Sequence, residues 1–307
     1  MAGLEADLLL DRRRLKRRLV FWRALAIVAF VGAIALAAAG LQRGGFAAGL
    51  PGQRHVARVN IRGIITSNRH LLESVNALAK DRNVAAVVIA VDSPGGSVSG
   101  GESLHDALVR VAAAKPVVAV MGGTAASAGY MVSLPAARIF AGNSTVTGSI
   151  GVILETGSAS GLLDKLGLSA EAIISGPLKD QPSFTHGLSP AGRTYLQALV
   201  GDLFGQFVTM VAQGRHMDEV HVRELADGRA YSGRQALALG LIDEIGGEPE
   251  ARAWLAKEKS VAPGLPIHDL VVGTWYDRTV GATVGIISQR LGLDSAIGLP
   301  MAVWSPI

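Results

Sequence analysis

Cysteine is absent from all 307 residues, which excludes disulfides, thiolate metal ligands and a cysteine nucleophile together. Histidine, the usual base for a serine nucleophile, is missing from the middle of the chain. The seven are His55, His70, His105, His186, His216, His221 and His268, so no imidazole falls between 105 and 186. Glycine is plentiful but follows no fixed period, which speaks for tight turns and against a fibre. Charge of either sign is missing from residue 24 to residue 41.

What charge there is sits unevenly. Residues 1–23 carry seven Lys/Arg against Glu5, Asp7 and Asp11, and this segment holds the whole net charge of +4. The remainder balances basic against acidic residues, so the basicity does not mark a nucleic-acid-binding face, and no nucleic acid is expected as a partner. The uncharged run from 24 to 41 is just long enough to cross a hydrocarbon core about 30 Å thick, with Phe21 and Trp22 at the interface. Its length exceeds the 7–15 apolar residues typical of a cleaved signal peptide, so it reads as an uncleaved anchor. The basic flank puts the N-terminus in the cytoplasm and the rest of the chain outside. The expected organisation is a cytoplasmic basic segment (1–23), a transmembrane anchor (24–41), a linker (42–54), a catalytic domain (55–260) and a tail of uncertain structure (261–307).

In the domain, residues 55–61 alternate like a strand exposed on one side, and 70–80 carry the stripe of an amphipathic helix. The valine-rich runs 83–91 and 116–121 fit strands buried on both faces of a parallel sheet. Helices are expected over 101–113 and 125–134, with further short strands at 137–141, 151–154 and 171–174. Ser189-Pro190 is an N-cap followed by proline at N1, opening a helix to Gly214. This alternation predicts an α/β architecture with right-handed crossovers.

Three motifs follow strand ends or loops, and active sites of open α/β sheets gather at the carboxyl ends of strands. Asp92-Ser93-Pro94-Gly95-Gly96-Ser97 can turn backbone N–H groups into a cleft, although an ordinary strand-to-helix turn has the same composition. Gly122 to Tyr130 sets Ser127 among small residues at a helix start. Ala125 rules out the G-x-S-x-G elbow. Ser175-Gly176-Pro177-Leu178-Lys179-Asp180 places a lysine on a loop, where lysines are usually solvated. A serine nucleophile needs a base, and His186 is the one histidine competing with Lys179 for that role.

With Thr147-Gly148-Ser149-Ile150-Gly151-Val152 and Gly228-Arg229-Ala230-Tyr231-Ser232-Gly233, these segments resemble the signal peptide peptidase A family in its short form, over about residues 55–255. The resemblance implies a Clp-protease/crotonase-like fold with Ser127 as nucleophile and Lys179 as general base. It further implies that Ser149 orients the lysine and that the N–H groups of Gly96 and Ala128 form the oxyanion hole. No cofactor or metal is implied. The expected partners are apolar signal-peptide remnants, the membrane, and further copies of the chain in a ring, an octamer by resemblance. The implied location is the bacterial inner membrane, with the catalytic domain on the periplasmic side. Leu178 stands where the family commonly has an aromatic, and Ala128 where glycine is often found. Lys179 must be uncharged to take a proton, which calls for apolar surroundings once the protein assembles. The alternatives are a Ser–Lys protease processing intact membrane proteins and a crotonase-like acyl-thioester enzyme.

Overall fold

The computed structural model describes residues 53–272, together with Trp22, Arg23 and Leu25, which are helical and exposed. The chain divides into two compact units, Met1–Gln53 and Arg54–Ile307. The expected membrane span lies almost wholly outside the described residues.

The second unit is built on one sheet. Its first strand, β1 (His55–Ile65), is followed by α1 (Arg69–Leu78), β2 (Val84–Gly96), α2 (Val98–Ala112) and β3 (Val117–Ala126). Each helix opens on a residue whose side chain takes up an orphan N–H. Asn68 accepts from Leu71 at 3.0 Å, and Ser97 accepts from Gly100 at 3.2 Å. The valine-rich strands expected at 83–91 and 116–121 are both present, and both run on through their glycine pairs. Val87, Ile89 and Val91 of β2 enter the larger core, while Ala86 and Val88 point to the opposite face. Burying each Val or Ile side chain contributes about 1.5–3 kcal/mol, and the period-two split explains why β2 reads as an unbroken apolar run.

Beyond β3 come α3 (Ala128–Met131), β4 (Arg138–Ala141), β5 (Val146–Gly148), α4 (Ser160–Lys165), α5 (Pro190–Arg215), α6 (Glu219–Leu225), β6 (Ala230–Ser232), α7 (Gly233–Ala238), β7 (Glu244–Ile245), α8 (Glu248–Lys259) and β8 (Ile267–Asp269). The sheet order is β6-β5-β3-β2-β1-β8, with β4 lying between β3 and β7. All pairs are parallel except β5–β6. β3 forks. Val118 to Met121 pair with β4, and Thr124 to Ala126 pair with β5, so the sheet splits at Gly122-Gly123. The expected fold class, an α/β parallel-sheet domain, is the one observed.

Several elements differ from expectation. The helix expected over 125–134 shortens to the four residues of α3, because β3 carries on to Ala126. No strand forms at 151–154 or 171–174. These residues leave the sheet, and Ile153 and Ile173 are exposed with no strand beside them. The sheet also extends past residue 260. β8 pairs with β1, and Asp269 accepts hydrogen bonds from Arg58 and Asn60. α5 opens as expected, with Ser189 accepting from Gly192 at 2.9 Å and proline in the first turn. Among the described residues it alone is long and apolar enough to cross a membrane, by length and composition. Its buried Phe207, Val208 and Val211 belong to the core.

Candidate active site

The site sits where the sheet forks. At the end of β3 the chain turns sharply, and Ser127 takes φ 53, ψ −121 before α3 begins. Among the described residues four non-glycine positions have positive φ: Ser127, Ser149, His216 and Ser260. His216 and Ser260 are left-handed helix C-caps, an ordinary use of that conformation. Ser127 and Ser149 cap no helix C-terminus. Non-glycine residues held there cost of order 1–3 kcal/mol and gather at functional sites.

The two serines lie at neighbouring strand ends. Ala126 pairs with Gly148, and the Ser127 N–H donates to the Gly148 carbonyl at 2.9 Å. Ser149 follows directly, its N–H donating to the Arg229 carbonyl at 3.0 Å. The Tyr231 ring packs on Gly148, where an added Cβ would come within 2.6 Å of it. The Tyr231 hydroxyl donates to the Leu225 carbonyl at 2.9 Å. The antiparallel pairing of β5 with β6 therefore fixes Ser149 from behind.

Of the glycine pair at the end of β2, Gly95 packs on Ser127 and Gly96 on β1. Gly95 has φ 119, and a Cβ there would lie 2.9 Å from the Ser127 Cβ and 3.3 Å from the Ala128 nitrogen. A Cβ at Gly96 would overlap the Ile65 carbonyl oxygen. Both positions thus require glycine, for different reasons: conformation at Gly95 and close approach at Gly96. Ala128 is buried at the first position of α3, where a helix N–H has no intrahelical acceptor. Below it Tyr130 is fully buried and donates to the Leu241 carbonyl at 2.8 Å, and burial pushes its phenol well above the ordinary value.

Lys179 is placed differently. It lies on an excursion spanning residues 152–188 that contains only the short helix α4 and is almost entirely exposed. Its N–H donates to the Gly176 carbonyl at 3.0 Å, but its ammonium group is exposed and makes no hydrogen bond or ion pair among the described residues. Within one chain the structure puts Ser127, Ala128 and Ser149 at neighbouring strand ends, with Gly95, the residue before Gly96, packed on Ser127, and leaves Lys179 unengaged on this arm. His186, the competing base, is exposed and bonded to Asp180 at 2.7 Å. The Asp180 carboxylate and the Gly187 carbonyl both raise His186 above its ordinary value, favouring its charged form over a proton acceptor.

Ser93 is a residue the sequence does not single out. Its hydroxyl is buried and bonded on both sides of the Gly95 turn. A serine in a turn carries no signal beyond turn propensity, so only the packing reveals it.

A strained serine at a strand-to-helix turn, packed against a glycine at the carboxyl end of a parallel sheet, points to a serine hydrolase of Clp-like architecture. The model of the Clp protease family matches residues 60–146, and that of peptidase family S49 matches residues 110–262. A putative protease of Synechocystis is 38% identical over 213 residues, covering 69% of this chain and 76% of its own. A putative protease of Methanocaldococcus jannaschii is 37% identical, covering 75% and 76%. A putative signal peptide peptidase SppA of Enterococcus faecium is 37% identical, covering 66% of this chain and 59% of its own length. The chain belongs to peptidase family S49 and is a serine protease, which removes the acyl-thioester alternative.

Proposed function

We propose that this serine protease is anchored in the membrane by residues 24–41 and degrades signal-peptide remnants through a Ser127–Lys179 dyad. The observation that carries the reading is Ser127 itself, held at positive φ against Gly95 at the fork of the sheet. Ser127 Oγ attacks the scissile carbonyl carbon while its proton passes to Lys179 Nζ. The N–H groups of Gly96 and Ala128 receive the negative charge that develops on the carbonyl oxygen. The C–N bond then breaks, Lys179 returns the proton to the leaving amine, and an acyl-enzyme remains on Ser127. Water, deprotonated by Lys179, releases the acid. Ser149 orients the lysine.

The arm explains why assembly belongs to this reading. Ile153, Leu162, Leu166, Leu168, Ile173 and Phe184, six large apolar side chains of one excursion, are all more than half exposed. Further copies of the chain in a ring would cover them and dry the surroundings of Lys179, which favours the uncharged amine. The substrate class follows from the anchor. A short linker after the membrane span holds the domain at the membrane surface, where released apolar peptides reach high effective concentration. In this reading the domain stands on the outer face of the bacterial inner membrane, with residues 1–23 in the cytoplasm.

The test uses full-length protein in detergent and an apolar signal-sequence peptide carrying a reporter. Ser127→Ala and Lys179→Ala abolish hydrolysis while leaving the fold intact, and His186→Ala stays active. Hydrolysis retained by Lys179→Ala and lost by His186→Ala would overturn the dyad. Cleavage of intact membrane proteins in preference to free signal peptides would overturn the substrate assignment.

A further inference from the structure

Ser93 has no part in the chemistry above, yet its hydroxyl is completely buried at 0% exposure, just where β2 breaks register with β3. A hydroxyl has one proton to give, and a buried one must be paired. Ser93 Oγ accepts the Gly95 N–H at 3.1 Å and faces the Gly63 carbonyl at 2.6 Å. The Gly95 carbonyl, at 3.3 Å, is the longer alternative for its proton. Gly63 has φ 68 and occupies the irregularity where β1 slips register against β2. A relay from Gly95 N–H through Ser93 O–H to Gly63 C=O therefore ties the β1 bulge to the glycine turn. On the other side of that turn, the Ser97 N–H donates to the Ile65 carbonyl at 2.9 Å. The Ser93 carbonyl packs on Gly129, where an added Cβ would come within 2.7 Å, so α3 rests on the same residue.

We infer that Ser93 is a positioning residue for the oxyanion hole. Its hydroxyl satisfies the Gly95 N–H inside the turn, holds Gly95 at φ 119, and so fixes the next peptide, which carries the Gly96 N–H, beside Ser127. The inference rests on the roles given to Ser127 and Gly96 above. Because the donors act on charge that develops in the transition state, loosening them lowers kcat and leaves KM in place.

The experiment compares Ser93→Ala and Ser93→Cys with the native full-length protein in detergent. A serine-directed fluorophosphonate counts the active sites, and kcat is expressed per titrated site. Ser93→Ala is expected to lose on the order of 10–100-fold in kcat per site, less than the 10²–10³-fold seen when a donor is deleted outright. KM stays within about twofold, and the midpoint of the pH–rate profile does not move because the base is untouched. Ser93→Cys, similar in size but a weaker donor, recovers part of the loss. The inference is overturned by a kcat per site in Ser93→Ala within about twofold of the native value, or by a loss confined to the number of titratable sites or to KM. If Ser93→Ala does not fold, Ser93→Cys decides: a reduced kcat per site supports the role and a native one removes it. Ser127→Ala is measured alongside. Activity there would refute the nucleophile assignment, a failure distinguishable from a native-like Ser93→Ala.

Discussion

The glycine turn around Ser127 and the arm that carries Lys179 are built on opposite principles. Around Ser127 every neighbour is fixed. Gly95 and Gly96 admit no Cβ, Ser93 is bonded on both sides, and Tyr130 and Tyr231 brace the strands from below. Along 152–188 the backbone forms one short helix, and apolar side chains face outward. The surroundings of Ser127 are thus organised within a single chain, whereas Lys179 is exposed and has no side-chain partner among the described residues. In the proposed reading, neighbouring copies would supply the missing walls around Lys179.

The comparison breaks most visibly at the nucleophile. Ser127→Ala should reduce peptide hydrolysis by about 10⁴-fold or more, with an unchanged circular dichroism spectrum. Residual activity near the native level would remove the tight half of the site from the chemistry. Next in size is Gly95→Ala. It forces a side chain into φ 119 and against the Ser127 Cβ. About 1–3 kcal/mol of stability should be lost, and hydrolysis should fall by at least about 100-fold as Ser127 shifts. Thermal unfolding and a rate assay on one preparation read both.

A smaller effect concerns the scaffold beneath the turn. Arg215 forms a two-pronged pair with Asp243 at 2.7 and 3.0 Å, and Asp243 also accepts the Ile139 N–H at 2.8 Å. Burial works to raise the Asp243 carboxyl, but the Arg215 hydrogen bond and charge outweigh it and hold the group below its ordinary value. Asp243→Asn should cost about 2 kcal/mol near neutral pH, a figure trimmed for the solvent reaching a carboxylate that is 27% exposed. A depressed carboxyl contributes its stability above the unfolded value, and that contribution disappears as pH falls through the folded value. The melting temperatures of the native protein and Asp243→Asn should therefore differ at pH 6 and draw together as pH falls below the ordinary carboxylate range. A gap that persists in acid would contradict the assignment.

Smallest of all is the expected effect of His186→Gln. The His186–Asp180 pair is exposed, and its raised histidine keeps the pair charged at mildly acidic pH and loses it as pH rises. Hydrolysis should stay within about threefold of native across the pH range, with no shift in the profile midpoint. A large loss would make this histidine, and not the arm's lysine, the base.

The tight half of the site was largely legible in the sequence, and the arm was not. Val84 to Val91 and Val117 to Met121 announce buried parallel strands because both of their faces are covered, and the glycine pairs that follow mark where backbone must approach closely. The fork of β3 left no trace. The strand expected at 137–141 is found as β4, but which half of β3 each of β4 and β5 joins is decided by tertiary packing. Glu171 to Ile174 reads as a strand because apolar runs normally find cover within their own chain. Here they stay exposed, so the expectation fails at the segment where assembly enters the account. β8 was hidden for a related reason: three residues with a polar face join the sheet through Arg58 and Asn60 bonding to Asp269, and no hydrophobic pattern marks them.

The central claim is that Ser127 is the group acylated and that Lys179 makes it reactive. It is tested most directly by treating the assembled protein in detergent with a fluorophosphonate, mapping the adduct by peptide mass spectrometry, and timing its formation. The account predicts a single adduct on Ser127, absent from Ser127→Ala and formed at least about 100-fold more slowly in Lys179→Ala. An adduct on another residue, or labelling of Lys179→Ala at the native rate, would contradict it.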